Sequence, residues 1–295
     1  MNILLTGASR GIGEATLAAL QSARHRVVGQ STAGSDTLIA ADFTDADAPR
    51  RLWEQAFERL DGRIDVLVNN AGIFEGVADN AGDEEWHAAW AKTLTVNLQA
   101  SADLCRLALA HFRSSSTTGG RIVNVASRAA YRGDSPIHWH YAASKAGMIA
   151  MTKSIARGYA AEQVYAFAVC PGFTATGMVE EYIASRGGEK LLADIPLGRP
   201  ANPDEIAETI RWLATEAPPS ATGAVIDVNG ASYVRLAGGS RSTAPAPRRR
   251  RCPTAIICSS SAIRRRCWSP TSPTPTPPTT GESMLTSPTS RRRRS

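Results

Sequence analysis

Apolar residues in this chain come in short unbroken runs, separated by stretches with helical spacing. Ile3-Leu4-Leu5 is the first run, apolar throughout, as in a strand covered on both faces. A glycine-rich turn follows, and then Ile12, Ala15, Ala19 and Leu20 recur at helical spacing. Further strands are expected at Arg26-Val27-Val28-Gly29, at Thr37-Leu38-Ile39-Ala40, at Ile64 to Val68, at Arg121 to Val125, at Val164 to Val169 and at Ala224 to Val228. Helical patterns lie between them at 49–60, at about 83–113, from near Tyr141 to about Ala160, and at 203–215. Strands alternating with helices predict a doubly wound parallel α/β sheet with helices on both faces. In such sheets ligands bind at the carboxyl ends of the strands. One step is anomalous: only six residues, Ser31 to Asp36, separate the second and third strands, where a parallel crossover normally needs about a dozen.

Charge divides the chain in two. Residues 1–235 hold 21 Lys and Arg against 26 Asp and Glu, whereas residues 236–295 hold 12 Arg, no Lys and one acid, Glu282. The folded part is therefore mildly acidic, which excludes a basic nucleic-acid-binding domain there. Of the last 60 residues, 41 are Ser, Thr, Pro or Arg. Such a composition buries too little apolar surface to offset its ordering entropy, so 1–235 is expected as one domain and 236–295 as a disordered tail. The arginine runs of the tail could grip nucleic acid or an anionic surface. Arginine without lysine, mixed with Pro, Ser and Thr, also fits translation of a GC-rich segment in a foreign frame, which is the favoured reading. No stretch approaches the ~20 apolar residues of a membrane span, and Met1 to Leu5 does not read as a signal peptide. The cysteines, Cys105, Cys170, Cys252, Cys258 and Cys267, form no CxxC pair. They suggest a reducing cytoplasm and no metal site.

The turn after the first strand, Thr6-Gly7-Ala8-Ser9-Arg10-Gly11-Ile12-Gly13, carries the first chemistry. Glycines let the backbone approach a pyrophosphate, and the helix that begins there directs free N–H groups at it. The turn is expected to bind a dinucleotide. An acid at the end of the second strand would hold the ribose 2′-OH of NAD, but Gln30-Ser31-Thr32 supplies none. Arg10 could hold a 2′-phosphate, so NADP is expected, with NAD possible if Arg10 is solvated and Asp36 takes the ribose.

The second feature is Tyr141-Ala142-Ala143-Ser144-Lys145. Residues i and i+4 share a helix face, and an ammonium close to a phenol favours the phenolate. Such a phenol can exchange a proton with a developing alkoxide. Ser127, at a strand end, can bond a substrate carbonyl and the tyrosine oxygen together; its bland alternative is a turn serine. His138 and His140 are weaker candidates for the base.

Taken in order, these motifs, with Asn69-Asn70-Ala71-Gly72, Asn97 and Pro171-Gly172-Phe173-Thr174-Ala175-Thr176, resemble the short-chain dehydrogenase/reductase family, whose sheet is Rossmann-type. Ile195-Pro196-Leu197-Gly198-Arg199 and Asp204-Glu205-Ile206-Ala207 resemble its 3-oxoacyl-acyl-carrier-protein reductase branch most. The resemblance implies Tyr141 as general acid/base, Lys145 lowering its pKa and bonding the nicotinamide ribose, Ser127 positioning the carbonyl, and Asn97 holding a water that links Lys145 to solvent. It implies a cofactor lined by Gly7, Ser9, Arg10, Gly11, Ile12, Gly13, Thr32, Asp42, Phe43, Asn70, Ala71, Gly72, Pro171, Gly172, Phe173, Thr174 and Thr176. A lid over the substrate would run from Thr176 to Leu197. The expected partner is a small carbonyl or alcohol substrate, and the family habit implies a homodimer or homotetramer. Two alternatives stay open: a dinucleotide-binding sensor whose tail reaches nucleic acid, and an inactive copy damaged by a frameshift.

Overall fold

The computed structural model describes residues 1–114, 119–176 and 193–235. The tail from 236 and most of the expected lid lie outside them. Seven strands form one sheet in the order β3-β2-β1-β4-β5-β6-β7. They are β1 Asn2–Leu5, β2 Arg26–Ser31, β3 Leu38–Ala40, β4 Val66–Asn69, β5 Gly120–Val125, β6 Val164–Pro171 and β7 Val225–Val228. Every pairing is parallel. The helices are α1 Gly11–Ser22, α2 Ala48–Arg59, α3 Asp83–Leu94, α4 Ala100–Phe112, α5 Ala129–Arg132, α6 Trp139–Tyr159 and α7 Pro203–Thr215.

Strand side chains alternate between two cores, as a period of two requires. Leu4, Leu67, Ile122 and Ala166 face one side, against Leu52, Trp53 and Leu104. Ile3, Leu5, Val66, Val68, Val123, Val125, Phe167 and Val169 face the other, against Leu20, Ile206, Ile210 and Leu213. Both faces are covered, so the doubly wound expectation holds. Among the described residues no helix is long and apolar enough to cross a membrane.

The short link between β2 and β3 has a simple physical account. Leu38 pairs with Gly29, and Ser31 with Ala40. The chain therefore returns only about two residues along the sheet, roughly 7 Å at strand rise, before pairing again. A loop manages this without a helix: Ser31 Oγ accepts the Gly34 N–H at 3.0 Å, Gly34 takes a φ of +72°, and the Ser35 N–H reaches Leu38 O at 3.0 Å.

The continuous helix expected over 83–113 is instead broken. Between α3 and α4, Thr95–Gln99 winds as a π-helix, with Asn97 at its centre. A π-turn re-aims the side chains of a long helix and is frequent at functional sites. The short α5 was not foreseen; four residues are too few to show a period.

Candidate active site

The strand order reverses between β1 and β4, and the crevice at their carboxyl ends is framed by a set of polar side chains. Thr6 Oγ1 accepts the N–H groups of Asn70 and Ala71, each at 3.0 Å. Asn70 Nδ2 donates to the carbonyls of Thr6 at 3.1 Å and Gly7 at 3.0 Å. Gln30 Oε1 accepts the Gly7 N–H at 2.9 Å, and its Nε2 donates to Ala41 O at 2.6 Å. The glycine turn is thus clamped from β2 on one side and β4 on the other. Sequence reading missed Gln30 as a brace and read it only as the absence of an acid. Its sole signal was a polar residue inside an apolar strand.

The glycines are required sterically. A Cβ on Gly13 would lie 1.8 Å from Gly7 O, and one on Gly7, whose φ is +66°, would lie 2.8 Å from Ala71 Cα. α1 opens with no side-chain cap on its first N–H groups, and Arg10, at its N-cap, is exposed together with Ser9. Uncapped N–H groups and a positive helix end above a narrow glycine floor fit a pyrophosphate. Across the crevice, Thr176 Cγ2 would touch a Cβ on Gly11 at 2.8 Å, so the loop from Pro171 to Thr176 reaches over the turn. Gly172 is needed there because its Cβ would meet Asn229 Cα at 2.7 Å. Ile12 is partly buried against the Leu5 side of the core, and the Thr174 hydroxyl donates to Gly172 O at 3.3 Å.

The other residues expected to line the cofactor fall unevenly. Thr32 and Asp42 are exposed at the carboxyl edge of β2 and β3. The Asp42 carboxylate accepts the Thr44 N–H at 2.9 Å and hydroxyl at 2.8 Å, which holds its pKa below the ordinary value. Phe43, by contrast, is buried in the core cluster that holds Leu52 and Leu104. The Asn70 side chain is likewise turned onto the glycine turn.

At the other wall, β5 ends beside Ser127, and α6 carries Tyr141 and Lys145 one turn apart. Lys145 Nζ lies 5.9 Å from the centre of the Tyr141 ring. It donates to Val125 O at 2.9 Å. Ser127 Oγ accepts the Ala129 N–H at 3.1 Å, so the turn-serine role is real. The same hydroxyl lies beside the phenol. The electrostatics differ from the sequence expectation. Burial pushes the phenol up to about 12, with Ser127 pulling the other way, and burial pushes the Lys145 ammonium down to about 8. The expected cation effect on Tyr141 is not what dominates here: withdrawal from water, which disfavours the phenolate, is the largest cause of the shift.

Asn97 is fully buried. Its Oδ1 accepts the Ile73 N–H at 2.8 Å, and its Nδ2 donates to Ile73 O at 3.0 Å and Ser144 Oγ at 3.3 Å. A Cβ on Gly72 would lie 3.2 Å from Asn97 Oδ1 and 3.3 Å from Lys145 Nζ, so these three residues meet. The Asn97 amide is engaged in core hydrogen bonds to Ile73 and Ser144. Phe74 was not foreseen: it stacks on His138 with centroids 3.9 Å apart and meets Tyr141 edge-on at 4.8 Å. His138 Nδ1 is engaged by Ser135 Oγ at 2.7 Å, and His140 lies against Trp90. Trp139, between the two histidines, is half exposed and meets Trp86 edge-on.

The sequence supplies independent support. Residues 7–231 match the family profile described as Enoyl-(Acyl carrier protein) reductase. The chain is 37% identical over 246 residues to a 3-oxoacyl-[acyl-carrier-protein] reductase of Synechocystis, covering 77% of this chain and 94% of that protein. It is 35% identical over 243 residues to the 3-oxoacyl-[acyl-carrier-protein] reductase FabG of Thermotoga maritima, covering 77% and 95%. An acetoacetyl-CoA reductase of Rhizobium meliloti is 31% identical over 241 residues, covering 78% and 97%. The clamped glycine turn, the Ser127, Tyr141 and Lys145 wall and these relatives together show that the chain belongs to the short-chain dehydrogenase/reductase family, in its 3-oxoacyl-acyl-carrier-protein reductase branch, and is an oxidoreductase.

Proposed function

We propose that the protein reduces a ketone to a secondary alcohol, and the reverse, with NADPH as the preferred hydride donor and a 3-oxoacyl thioester as the first substrate to try. The observation that carries this reading is the meeting of Tyr141, Lys145 and Ser127 on the wall facing an uncapped helix N-terminus. A reduced nicotinamide, when bound, would supply the hydride for the carbonyl carbon. Ser127 holds the carbonyl oxygen, and Tyr141 delivers its proton to that oxygen. A phenol held up at about 12 stays protonated at neutral pH and is ready to act as the acid in the reducing direction. Lys145, with a pKa near 8, returns a proton to the site. Asn97 acts as a positioning residue, tying Ile73 and Ser144 on either side of Gly72 and Lys145. The carbonyls and N–H groups of the glycine turn, Gly72 and the Pro171 to Thr176 loop hold the dinucleotide, and Arg10 takes the 2′-phosphate.

The relatives named above are all reductases, which favours turnover over a sensor role. Like other members of such families, the chain would work as a homodimer or homotetramer. The test is loss of reduced-nicotinamide absorbance with a panel of ketones, run with NADPH and NADH in parallel. Faster reduction with NADPH on at least one 3-oxoacyl thioester supports the proposal. Dinucleotide binding without turnover on any ketone would return the sensor reading.

A further inference from the structure

The residue after Ser127 is an arginine, and its guanidinium is poorly partnered. Arg128 is 7% exposed, and its Nη1 is buried without a hydrogen bond. The nearest carboxylate oxygen, Asp194 Oδ2, lies 3.6 Å from that nitrogen. Asp194 gives its short contact, 2.5 Å, to Arg132 instead. Burial lowers the Arg128 pKa from its ordinary value, with Arg132 working in the same direction. A buried guanidinium normally recovers its lost hydration through a bidentate carboxylate. Among the described residues Arg128 has instead Asp194 at ion-pair distance, without a hydrogen bond to Nη1, and the face of Phe173, 4.2 Å from the guanidinium carbon.

The position of Arg128 is also set firmly. Its backbone N–H donates to Pro171 O at 3.0 Å. Phe173 belongs to the loop that covers the glycine turn, and Ser127 is the group proposed to hold the carbonyl. The guanidinium therefore stacks on the loop that covers the glycine turn, and its chain position is one residue from the group proposed to hold the carbonyl, with one buried N–H group lacking a hydrogen bond. We propose that Arg128 is the substrate-reading residue, and that the substrate is an oxo acid whose carboxylate lies within a few carbons of the ketone. This rests on the ketone-reductase reading of the same site and replaces the thioester named there as first substrate with an oxo acid carrying a free carboxylate.

The experiment compares oxo acids of increasing length, from 3-oxobutanoate to 5-oxohexanoate, with their methyl esters, using NADPH and the full chain. The expected result is that at least one acid exceeds its ester in kcat/KM by about tenfold or more, through KM, as a charge-assisted hydrogen bond allows. Arg128→Met should bring the acid-to-ester ratio down by about the same factor, and Arg128→Lys should recover part of it. Thermal melting and NADPH affinity of both variants check that the fold persists. Esters reduced as well as acids, or both substrates slowed equally by Arg128→Met, would overturn the proposal in favour of a merely structural arginine. If no ketone turns over, the parent reading fails on its own. Calorimetric titration of the same oxo acids into the NADP-loaded protein then decides the Arg128 claim by whether Arg128→Met weakens their binding.

Discussion

The two walls of the crevice treat polar groups in opposite ways. On the β1–β2–β4 side, side chains are satisfied by one another: Thr6, Gln30 and Asn70 tie the glycine turn down. What remains free there is backbone, at an uncapped helix start. On the β5–α6 side, titratable side chains are buried with few partners, and their pKa values are displaced by that burial. The first wall is a rigid mould for a ligand of fixed shape. The second stores reactivity, because a buried group lacking full hydration gains more from a reacting partner than a solvated one would.

The sharpest way to break this contrast is Tyr141→Phe. If the second wall works through the phenol, turnover should fall by about 10²–10⁴, while NADPH affinity, read by nicotinamide fluorescence, stays near the native value. Unchanged turnover would remove Tyr141 from the chemistry. Gly13→Ala attacks the first wall instead. Its Cβ would enter the Gly7 carbonyl at 1.8 Å, so cofactor binding should be lost and the melting temperature lowered. A variant that still binds NADPH tightly would show that the mould is softer than its geometry implies.

Thr6→Val keeps the shape of the first wall but removes the acceptor for two N–H groups. Each unsatisfied donor costs about 1–3 kcal/mol, so chemical denaturation should show a loss of about 2–6 kcal/mol for the two, less where water reaches these part-buried groups. Lys145→Met tests the burial of charge on the second wall. Below pH 8 the folded protein must hold a buried ammonium, whereas the unfolded chain titrates near 10.5. At this group the unfolded state therefore binds more protons between about 8 and 10.5, and the Lys145 contribution to native stability should rise with pH across that window, against opposing contributions from Cys105, Cys170 and Tyr141, whose pKa values burial raises. The rise, on the order of 1–3 kcal/mol, should vanish in Lys145→Met. Parallel stability profiles for the native protein and Lys145→Met across that window would contradict the displaced pKa. The smallest change expected is for Arg10→Ala, with an exposed side chain: about tenfold loss of NADPH preference over NADH in kcat/KM.

Much of the site was legible because chemistry and spacing coincide along the chain. Tyr141 and Lys145 lie four apart on one helix, and the glycines of the turn are adjacent in sequence. Gln30, Phe74 and Arg128 were not legible, because each gains its meaning from a distant partner: Ala41 and Gly7, His138 and Tyr141, and Phe173. The π-turn at Asn97 was invisible for a related reason. Its residues keep a helical pattern, and the extra residue per turn is decided by what Asn97 must reach, Ile73 and Ser144.

Sequence alone determined the alternation of strands and helices, hence a doubly wound sheet, and it marked the glycine turn and the Tyr–Lys pair, since both signals are local. Tertiary structure decided the strand order, the clamp on the turn and the sign of the pKa displacements. Those depend on which side chains meet across the sheet and on how much water is left between them, and neither quantity is written in the spacing of residues along the chain.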